Sequence, residues 1–147
     1  MSTGYSGTPL PRKLGFVPGR TAAIIDAPPG WVDANLPSLP GVSLTTLRTR
    51  VIELIVLFVP DVAALKKRMP LALRHLDPAG ALWVCWPKRA SGVRTDMTED
   101  KVREHCLPLG VVDTKVAALD EVWSGLKLMV RKDNRIGWPD PLTSSSD

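Results

Sequence analysis

The sequence predicts an α/β domain built on a mostly parallel sheet, and three observations predict it. Short β-branched and apolar segments alternate with segments whose apolar residues recur at steps of three and four, the strand–helix–strand order of a parallel sheet. The segment Ile52 to Val59 is apolar on successive residues from Leu54 onward, so both of its faces must be buried, as in a sheet between two covering layers. With 147 residues, 44% of them apolar and 23% charged, the chain has the size and composition of one globular domain.

The elements follow in order. Residues 8–132 read as the domain, between a small polar stretch at 1–7 and a Pro-, Ser- and Asp-rich tail at 133–147, both expected to be flexible. Thr8 can cap a short helix that opens on Pro9 and closes on Gly15. Pro18-Gly19 turns the chain into a strand at Thr21 to Asp26. Pro28, Pro29, Pro37 and Pro40 are expected to forbid a regular helix between Ala27 and Gly41. Val42 to Leu47 reads as a weak strand. Its link to the strong strand at Ile52 is too short for a parallel crossover, so either the two pair antiparallel or the first is shorter than it reads.

Asp61 caps a helix whose apolar face is Val62, Leu65, Met69, Leu73 and Leu76. Pro70 removes a backbone donor and is expected to kink or split this helix. Asp77-Pro78-Ala79-Gly80 should end it before a strand at Ala81 to Trp86. Lys88 to Asp96 reads as a polar loop. Thr98 caps the next helix, with Glu99 and Asp100 in the turn where the helix dipole favours acids, and Gly110 closes it. Val111 to Leu119 and Leu126 to Arg131 are expected as two final strands around a Trp123-Ser124-Gly125 turn. Trp83 and Trp86 should point to opposite sheet faces.

Composition narrows the function classes. No apolar run approaches the ~20 residues that span a bilayer, and Met1 to Gly7 has no apolar core, so no membrane role and a cytoplasmic location are expected. Lys plus Arg number 19 against 15 Asp plus Glu, a net +4 that permits nucleic acid or another anionic partner without requiring one. Cys85 and Cys106 fall in apolar strand and helix patterns and read as buried thiols in a reducing compartment. With His75 and His105 they show no paired ligand spacing, so no metal is expected. No Ser-His-Asp or Cys-His arrangement can be argued, which leaves no catalytic residue and no cofactor to name.

Two resemblances bear on this reading. Tyr5-Ser6-Gly7-Thr8-Pro9-Leu10, Gly80-Ala81-Leu82-Trp83-Val84, Trp86-Pro87-Lys88 and Leu109-Gly110-Val111-Val112-Asp113, with Lys115-Val116 and Trp123-Ser124-Gly125-Leu126, resemble the bacterial, actinobacterial-type domain-of-unknown-function family three thousand and fifty-two. That resemblance implies no established activity. The stretch Leu76-Asp77-Pro78-Ala79-Gly80-Ala81-Leu82 and the antiparallel final strand are similar to class I methyltransferases, which implies a truncated, Rossmann-like sheet. The cofactor-binding parts depart from that pattern. Where those enzymes carry a glycine-rich turn, this chain has Asp26-Ala27-Pro28-Pro29-Gly30-Trp31. Where an acid would meet the ribose hydroxyls, Arg48, Thr49 and Arg50 stand.

Open α/β sheets bind ligands beyond the carboxyl ends of their strands. The residues expected there are Asp26, Trp31, Asp61, Trp86, Lys88, Arg89 and Ser91, and they form the candidate ligand-binding set. Each has a plainer role as well: Asp61 as a helix cap, Lys88 and Arg89 as solvated cations. Asp113 and Lys115 alternate on one strand face, either as a buried charge pair or as the wet face of an edge strand. The function expected is a non-catalytic binding or regulatory module. The alternatives are a transferase-like enzyme with its site at the strand ends and an anion- or nucleic-acid-binding protein. A homodimer or a protein partner is also expected, because two helices following successive strands fall on one face and leave the other to be covered; the alternative is that the Thr8 to Leu14 helix and the Ala27 to Gly41 segment suffice to cover it.

Overall fold

The computed structural model describes residues 8–138 except Thr49. The termini expected to be flexible at 1–7 and 139–147 lie outside the described residues. In chain order the elements are α1 (Leu10–Leu14), β1 (Thr21–Ile25), α2 (Trp31–Asn35), β2 (Ser43–Thr45), β3 (Ile52–Phe58), α3 (Val62–His75), β4 (Leu76–Pro87), α4 (Glu99–Cys106), β5 (Val111–Ala118) and β6 (Trp123–Val130). Short 3-10 turns occupy Arg89–Ser91, Leu107–Leu109 and Lys132–Asn134. The strands form one six-stranded sheet in the order β2-β1-β3-β4-β6-β5. The first four pair in parallel, and β6 runs antiparallel to both β4 and β5.

The open question about β2 resolves as a short strand. It pairs in parallel with β1 through Thr21↔Ser43 to Ala23↔Thr45 and does not pair with β3. Between β2 and β3 the chain changes sides of β1. Leu47 packs into the core on the α3 face, so the connector crosses there. A doubly wound sheet has the order 3-2-1-4-5-6. Removing its outermost strand, and the helices that lead to and from it, gives the order seen here up to β4.

Both faces of the sheet are covered. On one, α3 and α4 bring Leu65, Met69, Val102 and Cys106 onto Ile55, Leu57 and Trp86. On the other, α1, α2 and the proline-rich segment bring Leu10, Leu14, Trp31 and Leu36 onto Val56, Phe58 and Trp83. Trp83 and Trp86 therefore do face opposite ways, and the indole N–H of Trp83 donates to the Leu14 carbonyl at 2.9 Å. The face opposite α3 and α4 is covered by residues of the chain's own N-terminal third.

Several local expectations change. The helix at Leu10–Leu14 starts at Pro9, with no side-chain cap from Thr8, and Gly15 closes it at φ 103°. A helix does form at Trp31–Asn35, because the prolines at 28, 29, 37 and 40 flank those five residues without entering them. Pro70 does not split α3; it sits exposed inside one continuous helix. Asp77-Pro78-Ala79-Gly80 is not a loop. β4 already begins at Leu76, paired with Ile52, and the ladder is irregular before Leu54↔Ala81. At that irregularity a Cβ on Gly80 would collide with the Glu53 carbonyl oxygen, so the position needs glycine. The final hairpin turns at Leu119–Val122 and not at Trp123–Gly125, which belong to β6. Asp120 makes this turn: its Oδ1 accepts from the N–H of Val122 at 2.9 Å and of Trp123 at 2.7 Å. Residues 133–138 are not a loose tail either. The Trp138 indole N–H donates to the Leu73 carbonyl at 3.1 Å, and the Asn134 amide donates to the Gly110 carbonyl at 3.1 Å.

Candidate functional site

The chain leaves β1 toward β2 and comes back on the far side as β3, so the strand order reverses between β1 and β3. Such a switch point opens a crevice at the carboxyl ends of the strands. Asp26 follows β1 and Asp61 follows β3 at that end of the sheet.

Asp26 has φ 60°, the one non-glycine residue with positive φ among the described residues. Its carboxylate is taken by Arg68 of α3, through Nε to Oδ2 at 2.9 Å and Nη2 to Oδ1 at 3.3 Å. This two-point contact ties the end of β1 to the middle of α3. The turn that follows is poor in donors. Pro28 and Pro29 have no N–H, and the Trp31 N–H is used on the Pro28 carbonyl at 3.0 Å. Gly30, at φ 80°, leads into α2, which is only five residues long.

Trp31 lies on the other side of the sheet from α3. It is buried, meets the ring of Phe58 edge-on at 4.7 Å, and donates its indole N–H to Asp120 Oδ2 at 2.8 Å. Phe58 in turn meets Trp123 edge-on at 5.0 Å. Asp120 thus accepts three hydrogen bonds and locks the β5–β6 turn to α2. Sequence reasoning assigned it no role, although an aspartate two and three residues before bonded N–H groups is the signature of an Asx turn.

Asp61 caps α3, accepting from the Ala64 N–H at 2.8 Å. The loop after β4 closes over this corner: Asp96 Oδ1 accepts from the Val62 N–H at 2.9 Å, and the Thr95 hydroxyl donates to the Pro60 carbonyl at 2.6 Å. Trp86 is buried in the α3-side core. The Lys88 N–H donates to the Val122 carbonyl at 2.8 Å, and the Ser91 hydroxyl donates to the Lys88 carbonyl at 2.7 Å while accepting from the Val93 N–H. Arg89 is exposed on the same turn. The seven candidates are therefore dispersed. Asp26 and Asp61 share the switch point, Trp31 and Trp86 are core residues on opposite faces, and Lys88, Arg89 and Ser91 shape a loop.

Reactive groups are muted. Burial pushes the Cys85 thiol far above its ordinary range, helped by the charge of Asp120, and pushes Cys106 up to about 12. Neither is a thiolate nucleophile at neutral pH. No group of three or more His, Cys, Asp or Glu side chains that could hold a metal occurs among the described residues. Asp113 pairs with Arg103 at 2.9 Å and not with Lys115. A register shift between Asp113 and Lys115 on the edge strand β5 separates them.

Two surface cavities of about 470 Å³ each flank α3. Arg48, Arg68 and Leu71 are among the residues of the first, and Arg50, Arg74 and Leu71 among those of the second. Trp86, Lys88, Arg89 and Ser91 line neither.

No protein-family model matches the chain, so the resemblance to the domain of unknown function gains no support there, and no curated protein matches it. Solved structures do. A TehB-like SAM-dependent methyltransferase from Corynebacterium glutamicum superposes with a TM-score of 0.51 at 11% identity, over 83% of this chain and 85% of that one. The mitomycin 7-O-methyltransferase MmcR gives a TM-score of 0.55 at 11% identity, over 76% of this chain and 49% of that one. LepI in complex with SAM gives 0.50 at 14% identity, and this chain spans 39% of its length. At these identities the likeness shows the fold: the domain has a Rossmann-like, methyltransferase-like sheet, mostly parallel, with an antiparallel C-terminal hairpin. No described helix is long and apolar enough to cross a membrane.

S-adenosylmethionine is the cofactor that such a fold implies, and the residues that follow β1 and β2 do not fit it. Pro28 and Pro29 remove two donors after β1, the Trp31 N–H is spent on the Pro28 carbonyl, and the Asp26 carboxylate is held by Arg68. After β2 an exposed arginine, Arg48, replaces the acid that would take the ribose hydroxyls.

Proposed function

We propose that this chain is a methyltransferase-like scaffold that works as a non-catalytic binding module, its cofactor crevice closed by its own side chains. The observation that carries the reading is the Asp26–Arg68 clasp across the switch point, set beside a turn with two prolines. The clasp uses the carboxylate at the end of β1 and lays a guanidinium beside it. A cofactor amine or ribose would have to displace that guanidinium. The buried Cys85 and Cys106 thiols support a reducing, cytoplasmic setting.

A transferase reading draws support from the methyltransferases among the structural neighbours. Calorimetric titration with S-adenosylmethionine and S-adenosylhomocysteine separates the two. The module reading expects no binding at sub-millimolar concentration and no shift in melting temperature. Micromolar affinity for either compound overturns it and restores the transferase.

A further inference from the structure

We propose that the flank of α3 beside the β2–β3 connector is a docking groove for an acidic amphipathic helix of a partner protein. The proposal rests on the binding-module reading and names the partner that reading leaves open.

The starting point is what the connector omits. A connection between parallel strands ordinarily takes a dozen or more residues and lays a helix against the sheet. Here only six residues of sequence separate β2 from β3. The strip beside α3 that a crossover helix would cover stays open, as the two cavities. Leu71, half-buried, lines both of them. Ile25 and Leu47 lie beside it in one, and Val51, half-exposed, in the other. The groove therefore has an apolar floor where the fold ordinarily places the apolar face of a helix.

The rim decides the charge of the occupant. Arg48 and Arg68 border one end, Arg50 and Arg74 the other, and no carboxylate lines either cavity. No ion pair among the described residues reaches Arg48, Arg50 or Arg74, and all three are exposed. Arg68 is already held by Asp26, so the cations open to a partner are Arg48 at one end and Arg50 and Arg74 at the other. Carboxylates seven residues apart on a partner helix span about 10 Å. Such a helix can set leucines over Leu71 and Leu47 while its acids reach an arginine at each end, the usual anchoring pattern of a helix in a groove. A phosphate backbone would use the arginines but leave the apolar floor against water. A helix uses both.

The test is fluorescence anisotropy on the full chain. The probe is a labelled amphipathic peptide of about 15 residues, long enough to begin to hold a helix. It carries leucines on one face, with glutamates one turn to either side. The expected result is a Kd on the order of 10 μM that weakens at least about tenfold with a scrambled peptide of the same composition. The same loss is expected for the doubly charge-reversed variant Arg48→Glu/Arg74→Glu and for Leu71→Glu, each checked for an unchanged melting temperature. The scrambled-peptide arm needs no variant and so does not depend on folding. No binding below millimolar concentration, equal binding of the scrambled peptide, full binding by the charge-reversed variant, or tighter binding of a single-stranded oligonucleotide would each overturn the groove. These failures are read independently of the S-adenosylmethionine titration, so loss of the docking proposal and loss of the module reading are distinguishable.

Discussion

Asp26 combines a left-handed backbone with an ion pair, and the two features can be separated by substitution. Asp26→Ala and Asp26→Gly both remove the contact with Arg68, so its contribution cancels between them. What differs is the backbone. At φ 60° a Cβ costs about 1–2 kcal/mol that glycine does not incur. Glycine in turn loses about 0.4–1 kcal/mol through its more flexible unfolded chain. The glycine variant should therefore exceed the alanine variant by about 1 kcal/mol. With an unfolding entropy of about 2.1 cal/mol/K per residue over 147 residues, that difference is about 3 °C in melting temperature. Asp26→Asn keeps a side chain that tolerates this φ and removes only the charge. Because the two side chains are 36% and 41% exposed, its cost should stay below about 1 kcal/mol and shrink in high salt. Differential scanning calorimetry of the three variants decides. An alanine variant as stable as the glycine variant would refute the claim that Asp26 is held under backbone strain.

Two further outcomes follow from packing and charge. Gly80→Ala should cost about 1–3 kcal/mol, because its Cβ meets the backbone oxygen of Glu53 and a backbone cannot swing aside as a side-chain tip can; urea denaturation reads this, and a loss below about 0.5 kcal/mol would contradict the close approach. Asp113 is held below the ordinary carboxylate range by its hydrogen bond from Arg103. A depressed pKa in the folded state means that this contact stabilises above the unfolded value of about 3.9 and is lost as pH falls through the folded one, so Asp113→Asn should flatten the acid limb of the stability curve there and leave the curve above neutrality parallel to the wild type.

The sequence carried the elements whose signals are local. Apolar runs marked β3, and the spaced apolar residues behind Asp61 and Thr98 marked α3 and α4; both caps are made as read, from Asp61 to Ala64 and from Thr98 to Lys101. What escaped it depends on contacts distant in sequence. Pro78 and Gly80 read as a loop because their ladder partner, near Glu53, is invisible locally. Gly125 reads as a turn residue, yet it sits in β6 with Leu119, Trp83 and Cys85 closing around it. At the candidate site, the strand ends were legible but the partners were not. Asp26 was chosen without Arg68, Trp31 without Asp120, and the Pro60–Asp61 corner without Thr95 and Asp96. Each of these pairs spans more than thirty residues of chain.

The shortness of β2 has a consequence for how this molecule behaves in a crowd of its own copies. Among the described residues no strand lies beyond β2, so it is a sheet edge, and an edge offers N–H and C=O groups to any intruding strand. Three residues offer too few of them for an intruder to grip. The opposite edge, β5, has its ladder interrupted between Asp113 and Lys115, and it places Lys115 opposite Lys127. A strand adding to that edge would meet an irregular backbone and an unbalanced positive charge. The sheet is thus blunted at both ends by different means, one by brevity and one by misregister.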